Sequence, residues 1–245
     1  MFEYKTCSCI IKQKKLKKEN LLIEDYNNTS EFSNFDMGDD HMSTGLETPM
    51  KKDSFVMSDE EKKEKIAHLF NQIMDVLGLD LTDDSLKDTP KRVAKMYVEE
   101  IFSGLNPLNK PKISLFENKY QYNQMLVEKN ISFYSNCEHH FVPFTGQAHI
   151  AYVSSGKVIG LSKLNRIVQY YAKRPQVQER LTNQIAEDLK IILNTEDIAV
   201  IIDAKHLCVS SRGVKDNTST TITSYYGGIF ENPTKITELQ NYINK

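Results

Sequence analysis

Cysteine is scarce in this chain, and its scarcity excludes one class of protein. Only 4 of the 245 residues are Cys, and they are unevenly placed. A disulfide framework of the kind that stabilises small secreted domains is therefore excluded. We expect a reducing compartment, and hence a cytoplasmic protein.

Long apolar runs are also absent. No stretch of about 18 consecutive apolar residues occurs, so we expect no membrane-spanning helix. The N-terminus lacks the apolar core of a signal peptide. Its Lys-rich start has no Arg and carries Glu3, which argues against a mitochondrial transit peptide.

Net charge and nucleotide motifs set two further limits. The formal net charge is −2, so no global feature indicates a nucleic-acid partner. The pattern G-x-x-x-x-G-K-[ST] is absent, which excludes a P-loop nucleotide site. Hydrophobic residues make up 40% of the chain, which is enough for a sizeable core.

Residues 1–57 differ in composition from the rest. A basic run over 12–18 is followed by Asn-, Ser- and Asp-rich sequence without a helical or strand period. This composition cannot bury enough surface to offset chain entropy. We predict a disordered or loosely attached tail over 1–57 and an ordered domain over 58–245. Cys7 and Cys9 lack the further ligands that a metal site would need.

Periodicity in the ordered part predicts two helices, then strands, two more helices and further strands. Ser58 caps a first helix with an apolar stripe, which Gly78 ends. A second helix starts at Thr89 and Pro90. The other predicted elements are strands over 113–115, 131–133, 147–153, 158–160, 198–202, 206–210 and 219–224, and helices beginning at Ser162, Pro175 and Asn232.

This order of elements predicts an α+β fold, with a largely antiparallel sheet and helices packed on one face. No internal repeat of the solenoid type occurs. A sheet with open edges favours an oligomer, because a neighbouring chain can then cover those edges.

Two short stretches concentrate metal-binding side chains. Cys137, His139 and His140 lie in one, and His206 and Cys208 lie in the other. Cys137 and His140 are spaced i, i+3 on a loop after a strand, which lets both face one ion. We place the second pair on one face of a strand. A closed structural zinc site uses four ligands, whereas a catalytic site uses three and keeps a water.

Five donors therefore favour a catalytic site. Adjacent histidines point apart, so one of His139 and His140 binds the metal and the other serves acid–base chemistry. Zinc lowers the pKa of a bound water to about 7. Spacing alone leaves open whether the site is structural or catalytic. It also leaves open the alternative that the two cysteines are buried apolar residues and the histidines lie on the surface.

Basic side chains gather at helix starts and in one predicted hairpin. Helix N-termini favour phosphate, and cations from several elements suit a multiply charged anion such as a triphosphate. For Arg92 and Lys95, spacing alone favours a solvated helix face. The residues concerned are Arg92, Lys95, Lys163, Arg166, Arg212 and Lys215.

Five segments together resemble the signature segments of the GTP cyclohydrolase I family. They occur in the family's order and spacing, between about residue 60 and residue 231, and the tail is not covered. A set of separate matches like this is highly specific. The segments are 89–97 (TPKRVAKMY), 137–141 (CEHHF), 160–169 (GLSKLNRIVQ), 174–181 (RPQVQERL) and 206–213 (HLCVSSRG).

The resemblance implies a tunnelling fold, in which the sheets of several subunits form a barrel. It implies that two pentamers stack into a decamer with active sites between subunits. The implied reaction converts GTP and water to 7,8-dihydroneopterin triphosphate and formate, the first step of pterin synthesis for folate or tetrahydrobiopterin. Zn²⁺ is the implied cofactor. The pathway, the role of the tail and a regulatory protein partner stay open.

The resemblance also implies roles at the metal. Cys137, His140 and Cys208 are the implied zinc ligands. His139 and His206 are implied to move protons during attack of the activated water on C8 of the guanine.

Substrate-binding roles are implied in the same way. Glu179 would hold the N–H edge of the guanine, with help from Gln178. No role follows for Glu138. The implied triphosphate-binding residues are Ser162, Lys163, Arg166 and Arg212, with Arg92 and Lys95 from a neighbouring subunit.

Two other functions are alternatives to this one. A related tunnelling-fold enzyme, such as a pterin synthase or nitrile reductase, handles similar heterocycles but would not need both metal-binding stretches and this many cations. A non-catalytic module stabilised by zinc would hold the metal with four protein ligands and no water.

Overall fold

The structure of the chain is a computed structural model that describes residues 47–245. Most of the predicted tail over 1–57, with Cys7, Cys9 and the basic run, lies outside the described residues. Residues 47–57 form turns before the first helix. The domain boundary stays a prediction, although a helix does begin directly after Ser58.

The described residues form six α-helices and seven strands. A π-helical turn (Met96–Ile101) continues the second helix. No helix within residues 47–245 is both long and apolar enough to cross a bilayer. In chain order the elements are α1 (Asp59–Val76), α2 (Thr89–Lys95), β1 (Leu115–Glu117), β2 (Leu126–Cys137), β3 (Pro143–Tyr152), β4 (Lys157–Ile159), α3 (Leu161–Ala172), β5 (Pro175–Gln176), α4 (Gln178–Leu193), β6 (Ile198–His206), α5 (Leu207–Ser210), β7 (Thr221–Tyr226) and α6 (Pro233–Ile243).

Five strands form one sheet in the order β5-β2-β3-β6-β7. β2, β3, β6 and β7 pair antiparallel, and β5 joins β2 through a two-residue parallel pairing. β1 and β4 pair separately as an antiparallel ribbon. The predicted α+β class with a largely antiparallel sheet is confirmed.

The main core lies between this sheet and helices α3 and α4. Phe133, Ile150 and Val200 project from β2, β3 and β6 into this layer. Leu164 of α3 and Ile185 of α4 meet them, and all five side chains are fully buried. The apolar stripes of the two helices therefore face the sheet, as their helical period predicts.

The other face of the sheet is covered at one end. Phe230 and Leu239, which flank and belong to α6, pack there with Ala151 and Ala199 of the sheet. Helices thus lie on both faces at this end. The prediction of helices on one face is incomplete, because the C-terminal helix was not assigned to a layer.

Helix α1 has the predicted cap, and half of its apolar stripe is exposed while Met74 is buried. Ser58 and Glu61 form a capping box, in which each side chain accepts from the other residue's N–H. Leu69, Ile73 and Leu77 are 57%, 52% and 70% exposed. Since α3 and α4 already cover the sheet, α1 packs mainly on α2.

The stretch after His206 is helical rather than extended. β6 ends at His206, and Leu207–Ser210 forms α5. The prediction of a strand over 206–210 is wrong, and so is the argument that His206 and Cys208 leave one face of a strand. Beyond His206 the backbone bonds within its own turn instead of to a neighbouring strand.

Two helix starts also differ from the prediction. Pro175 and Gln176 pair with the end of β2, and the helix begins only at Gln178. Proline is accommodated at this position because it lies at the edge of the sheet. Helix α3 begins one residue before Ser162, which therefore lies in its first turn and is not its cap.

His149 on β3 has a buried environment that favours its neutral form. Its side chain is 7% exposed. The Asn130 N–H donates to His149 Nδ1 over 3.2 Å, and this bond needs Nδ1 without a proton. Burial lowers the pKa of His149 below its usual value of about 6.5. Asp203 opposes this shift and Lys129 adds to it.

We expect His149 to make the free energy of unfolding fall as the pH drops below about 6.5. In that range the unfolded chain takes up a proton that native His149 resists, so acid favours the unfolded state. Urea titrations at about pH 5 and about pH 7.5 should give a smaller pH dependence for His149→Gln than for the unsubstituted chain. Equal pH dependence of the two would contradict this.

Candidate active site

The two stretches with metal-binding side chains lie at the same end of the sheet. β3 runs between β2 and β6, so its first residues adjoin the last residues of both neighbours. Phe144 pairs with Ser135 on one side and with His206 on the other. Cys137 is the last residue of β2, and Cys208 follows β6 in α5. The two stretches therefore do meet in space.

The turn after Cys137 is held by hydrogen bonds on both sides. The Phe141 N–H donates to the Cys137 carbonyl over 2.9 Å, and Phe141 adopts a left-handed φ of 52°. The Glu138 N–H donates to the Gln176 carbonyl over 3.0 Å, which ties the turn to β5. The two histidines of this turn are left exposed at its tip.

The thiols of Cys137 and Cys208 are in contact, and both cysteines are free. Burial raises the pKa of the Cys208 thiol, and the adjacent Cys137 thiol adds to the rise. Cys137 Sγ also lies 3.5 Å from His139 Nδ1. Thiol and imidazole are donor types that zinc prefers.

His140, on the same turn, contacts Arg212 instead of the thiols. His140 Nε2 lies 3.2 Å from Arg212 Nη1. Among residues 47–245, no three side chains of His, Cys, Asp or Glu converge in a geometry that would hold a metal. The structure thus brings together Cys137 and Cys208 and leaves the third predicted ligand apart.

His206 is positioned through both the face and the edge of its ring. The ring stacks on Phe144 with a centroid separation of 4.7 Å and an interplanar angle of 2°. His206 Nε2 lies 2.7 Å from Gln178 Oε1. Burial lowers the pKa of His206 below its usual value, and the nearby Glu179 carboxylate opposes the shift.

The first two residues of α4 differ in exposure. Gln178 is 1% exposed, and its side-chain amide is hydrogen-bonded within the protein. Glu179 is exposed, and the first turn of a helix is favourable for its negative charge. Of the two residues implied to hold guanine, only Glu179 presents its side chain to solvent.

The residues predicted to bind a triphosphate lie on three separate elements. Within residues 47–245, the side chains of Lys95, Lys163 and Arg166 form no ion pair. Positive charge is therefore left without a counter-ion at the start of α3, where main-chain N–H groups also favour anions. The predicted set comprises Ser162, Lys163 and Arg166 in the first turns of α3, Arg212 in the loop after α5, and Arg92 and Lys95 on α2.

Sequence reasoning missed an ion pair between Glu138 and Arg180. Arg180 Nη1 donates to Glu138 Oε2 over 2.6 Å, and Nη2 donates to Oε1 over 3.1 Å. The Arg180 side chain is 4% exposed and that of Glu138 is 24% exposed. Nothing in the sequence indicated that Arg180 is buried or that Glu138 is its partner.

Comparison with known proteins gives a consistent result over most of the chain. The family model described as GTP cyclohydrolase I matches residues 66–244. A protein named GTP cyclohydrolase 1 from Flavobacterium johnsoniae is 59% identical over 208 residues, which cover 85% of this chain and 93% of the relative. Proteins of the same name from Vibrio vulnificus and Aeromonas salmonicida are 56% and 54% identical over 187 residues, or 76% of this chain and 85% of each relative.

The pair of Glu138 and Arg180 yields a stability prediction. We expect Glu138→Ala to lower the free energy of unfolding by about 3 kcal/mol, because it leaves the Arg180 guanidinium buried without a counter-ion. Urea unfolding measures this change. The double variant Glu138→Leu/Arg180→Met removes both charges and should recover most of the loss. A loss below about 0.5 kcal/mol in the single variant would show that the pair behaves like a surface ion pair.

Proposed function

The chain belongs to the GTP cyclohydrolase I family, and on this premise we propose that it converts GTP and water to 7,8-dihydroneopterin triphosphate and formate. The product would serve pterin synthesis in the cytoplasm. The observation that carries the proposal is the contact between the thiols of Cys137 and Cys208, which lies beside His139. Two strands bring these residues to one end of the sheet, where His206 ends β6.

Zinc is the proposed cofactor, with Cys137, His140 and Cys208 as its ligands. Two thiols in contact, with an imidazole on the same turn, make a suitable donor set, and three protein ligands leave one position open. Binding by all three requires His140 to give up its contact with Arg212. Bound zinc would supply a Lewis acid and would lower the pKa of its water to about 7.

His139 and His206 are proposed to move protons. His139 is exposed next to Cys137, so it can reach a substrate without itself binding the metal. His206 is half-buried and stacked on Phe144. Opening of the imidazole ring, loss of formate, rearrangement of the ribose and closure of the pteridine ring each transfer protons. Imidazole, with a reference pKa of about 6.5, suits these transfers near neutral pH.

Glu179 is proposed to bind the guanine. Its carboxylate is exposed at the start of α4 and close enough to His206 to affect the pKa of that residue. A carboxylate accepts hydrogen bonds from the N–H groups at the edge of guanine. The buried side chain of Gln178 holds this end of the helix against β6 and β7 through its hydrogen bonds to the Ile202 and Thr221 carbonyls.

The triphosphate is proposed to bind a group of cations, of which Lys95, Lys163 and Arg166 form no ion pair among residues 47–245. The N-terminus of α3 combines the half-buried Lys163 and the exposed Arg166 with the main-chain N–H groups of its first turn, which is a favourable arrangement for phosphate. Arg212 adds a guanidinium next to His140. The proposed set is Ser162, Lys163, Arg166 and Arg212, with Arg92 and Lys95 from a neighbouring subunit.

We propose that copies of the chain join their sheets into the barrel of a tunnelling fold, as a decamer. Among residues 47–245, no strand pairs with the outer edge of β7, and β5 covers only two residues of β2 at the opposite edge of the sheet. Three antiparallel pairings separate β2 from β7, so the two run in opposite directions. β7 of one copy can therefore pair antiparallel with β2 of the next, and a closed ring removes both edges.

Two substitutions separate metal binding from proton transfer. We expect Cys208→Ala to lose zinc, because it removes a ligand. We expect His139→Ala to keep zinc and to lose about a hundredfold or more in formate release from GTP, because it removes a proton carrier. Zinc content per chain and formate production measure the two effects. His68→Ala, at an exposed histidine on α1, is the matched control and should retain both.

Two results would contradict this assignment in different ways. Equal loss of zinc in His139→Ala and Cys208→Ala would show that the ligands are wrongly assigned. Absence of formate from GTP in the unsubstituted chain, with one zinc bound per chain, would contradict the proposed reaction.

A further inference from the structure

The side chain of Gln178 is buried at the start of α4, although it is polar. Its Nε2 lies 3.1 Å from the Ile202 carbonyl, 2.9 Å from the Thr221 carbonyl and 3.1 Å from Thr223 Oγ1. Carbonyl oxygens only accept, so the group that faces them is the amide NH₂. The orientation of the Gln178 amide follows from its partners.

Two threonines extend this arrangement in one direction. Thr182 Oγ1 donates its hydrogen to the main-chain carbonyl of Gln178 over 2.9 Å. It must therefore accept the hydrogen of Thr223 Oγ1, which lies 2.6 Å away. Thr223 Oγ1 in turn accepts from Gln178 Nε2. Rotating the amide of Gln178 would place its oxygen against two carbonyls, so the orientation is strongly preferred.

Gln178 Oε1 is thereby left as the acceptor for His206. The distance from Oε1 to His206 Nε2 is 2.7 Å. An amide oxygen cannot donate, so the proton of neutral His206 lies on Nε2 and the lone pair lies on Nδ1. The stacked ring of Phe144 restricts the plane of the imidazole at the same time.

We propose that Gln178 is a positioning residue that holds His206 in its Nε2–H tautomer and so assigns proton exchange with the substrate to Nδ1. The catalytic part of this inference rests on the proposed function, in which His206 moves protons. Gln178 then acts on the reaction through His206 and not by touching the guanine, because both ends of its amide are engaged within the protein.

The tautomer matters because a group that takes up a proton must direct a lone pair at the substrate. The other tautomer would present an N–H at Nδ1 and could not accept there. Without the Gln178 acceptor, both tautomers would be populated. A fraction of the molecules would then hold the wrong group towards the substrate, which lowers turnover more than binding.

Gln178→Met tests this inference, because it keeps the length of the side chain and removes the acceptor. Gln169→Met is the matched control. Gln169 lies on α3, and its side-chain amide donates to the Ser132 carbonyl of β2 and not to His206. Magic-angle-spinning NMR of the full chain, with ¹³C and ¹⁵N in its histidines, reports which ring nitrogen carries the proton. Spectra at about pH 8.5 ensure neutral imidazoles, and His206→Asn identifies the signal.

The unsubstituted chain and Gln169→Met should both show His206 with its proton on Nε2. Gln178→Met should show a mixture of the two tautomers. The kcat of formate release from GTP should fall at least in proportion to the fraction of the Nδ1–H tautomer in Gln178→Met, about twofold or more for an equal mixture, while KM for GTP stays unchanged. Gln169→Met should leave both constants unchanged.

Three results would overturn the inference. One is a proton on Nδ1 of His206 in the unsubstituted chain, a measurement that decides the matter even where Gln178→Met fails to fold. Another is an unchanged Nε2–H tautomer in Gln178→Met. The third is a raised KM with unchanged kcat, which would indicate direct contact with guanine. Absence of formate from the unsubstituted chain would contradict the proposed function, whereas an Nε2–H tautomer would still support the contact of Gln178 with His206.

Discussion

Antiparallel pairing of β3 with both β2 and β6 is the constraint on which the rest of the structure depends. Because β3 runs opposite to its two neighbours, its first residues adjoin the last residues of both strands. This register carries Cys137 and His206 to one end of the sheet and lets Cys208 reach the Cys137 thiol from α5. The same pairing points alternate residues of the three strands at α3 and α4, so one set of hydrogen bonds serves both the core and the site.

The first turn of α4 links this end of the sheet to the helical layer. Its first three residues connect to two partners, His206 and Glu138. Gln178 contacts His206, Glu179 stays exposed beside that histidine, and Arg180 binds Glu138 in the turn after Cys137. A shift of α4 would therefore disturb the proposed proton carrier, the proposed guanine site and the proposed metal-binding turn together. The buried side chains of Gln178 and Arg180 hold that turn of the helix in place through their hydrogen bonds.

Residue type and spacing predicted most helices and strands, and the metal-binding chemistry of Cys and His predicted which two stretches would meet. Apolar periods located the main strands and helices, and the scarcity of Cys singled out Cys137 and Cys208 as partners. The pair of Glu138 and Arg180 could not be predicted, because neither residue carries a signal that identifies the other. The predicted strand over 206–210 was wrong for a related reason: no residue in this short stretch marks where the sheet ends, and the chain turns into a helix after His206.

The zinc site is the central claim, and X-ray absorption at the zinc edge tests it most directly. The protein would be loaded with one zinc per chain. Two sulfur ligands at about 2.3 Å and two lighter ligands at about 2.0–2.1 Å are expected, with the outer scattering of a single imidazole. That result would match Cys137, Cys208 and His140 with one position left for water. Fewer than two sulfurs, or the scattering of two imidazoles in a closed four-ligand shell, would contradict it.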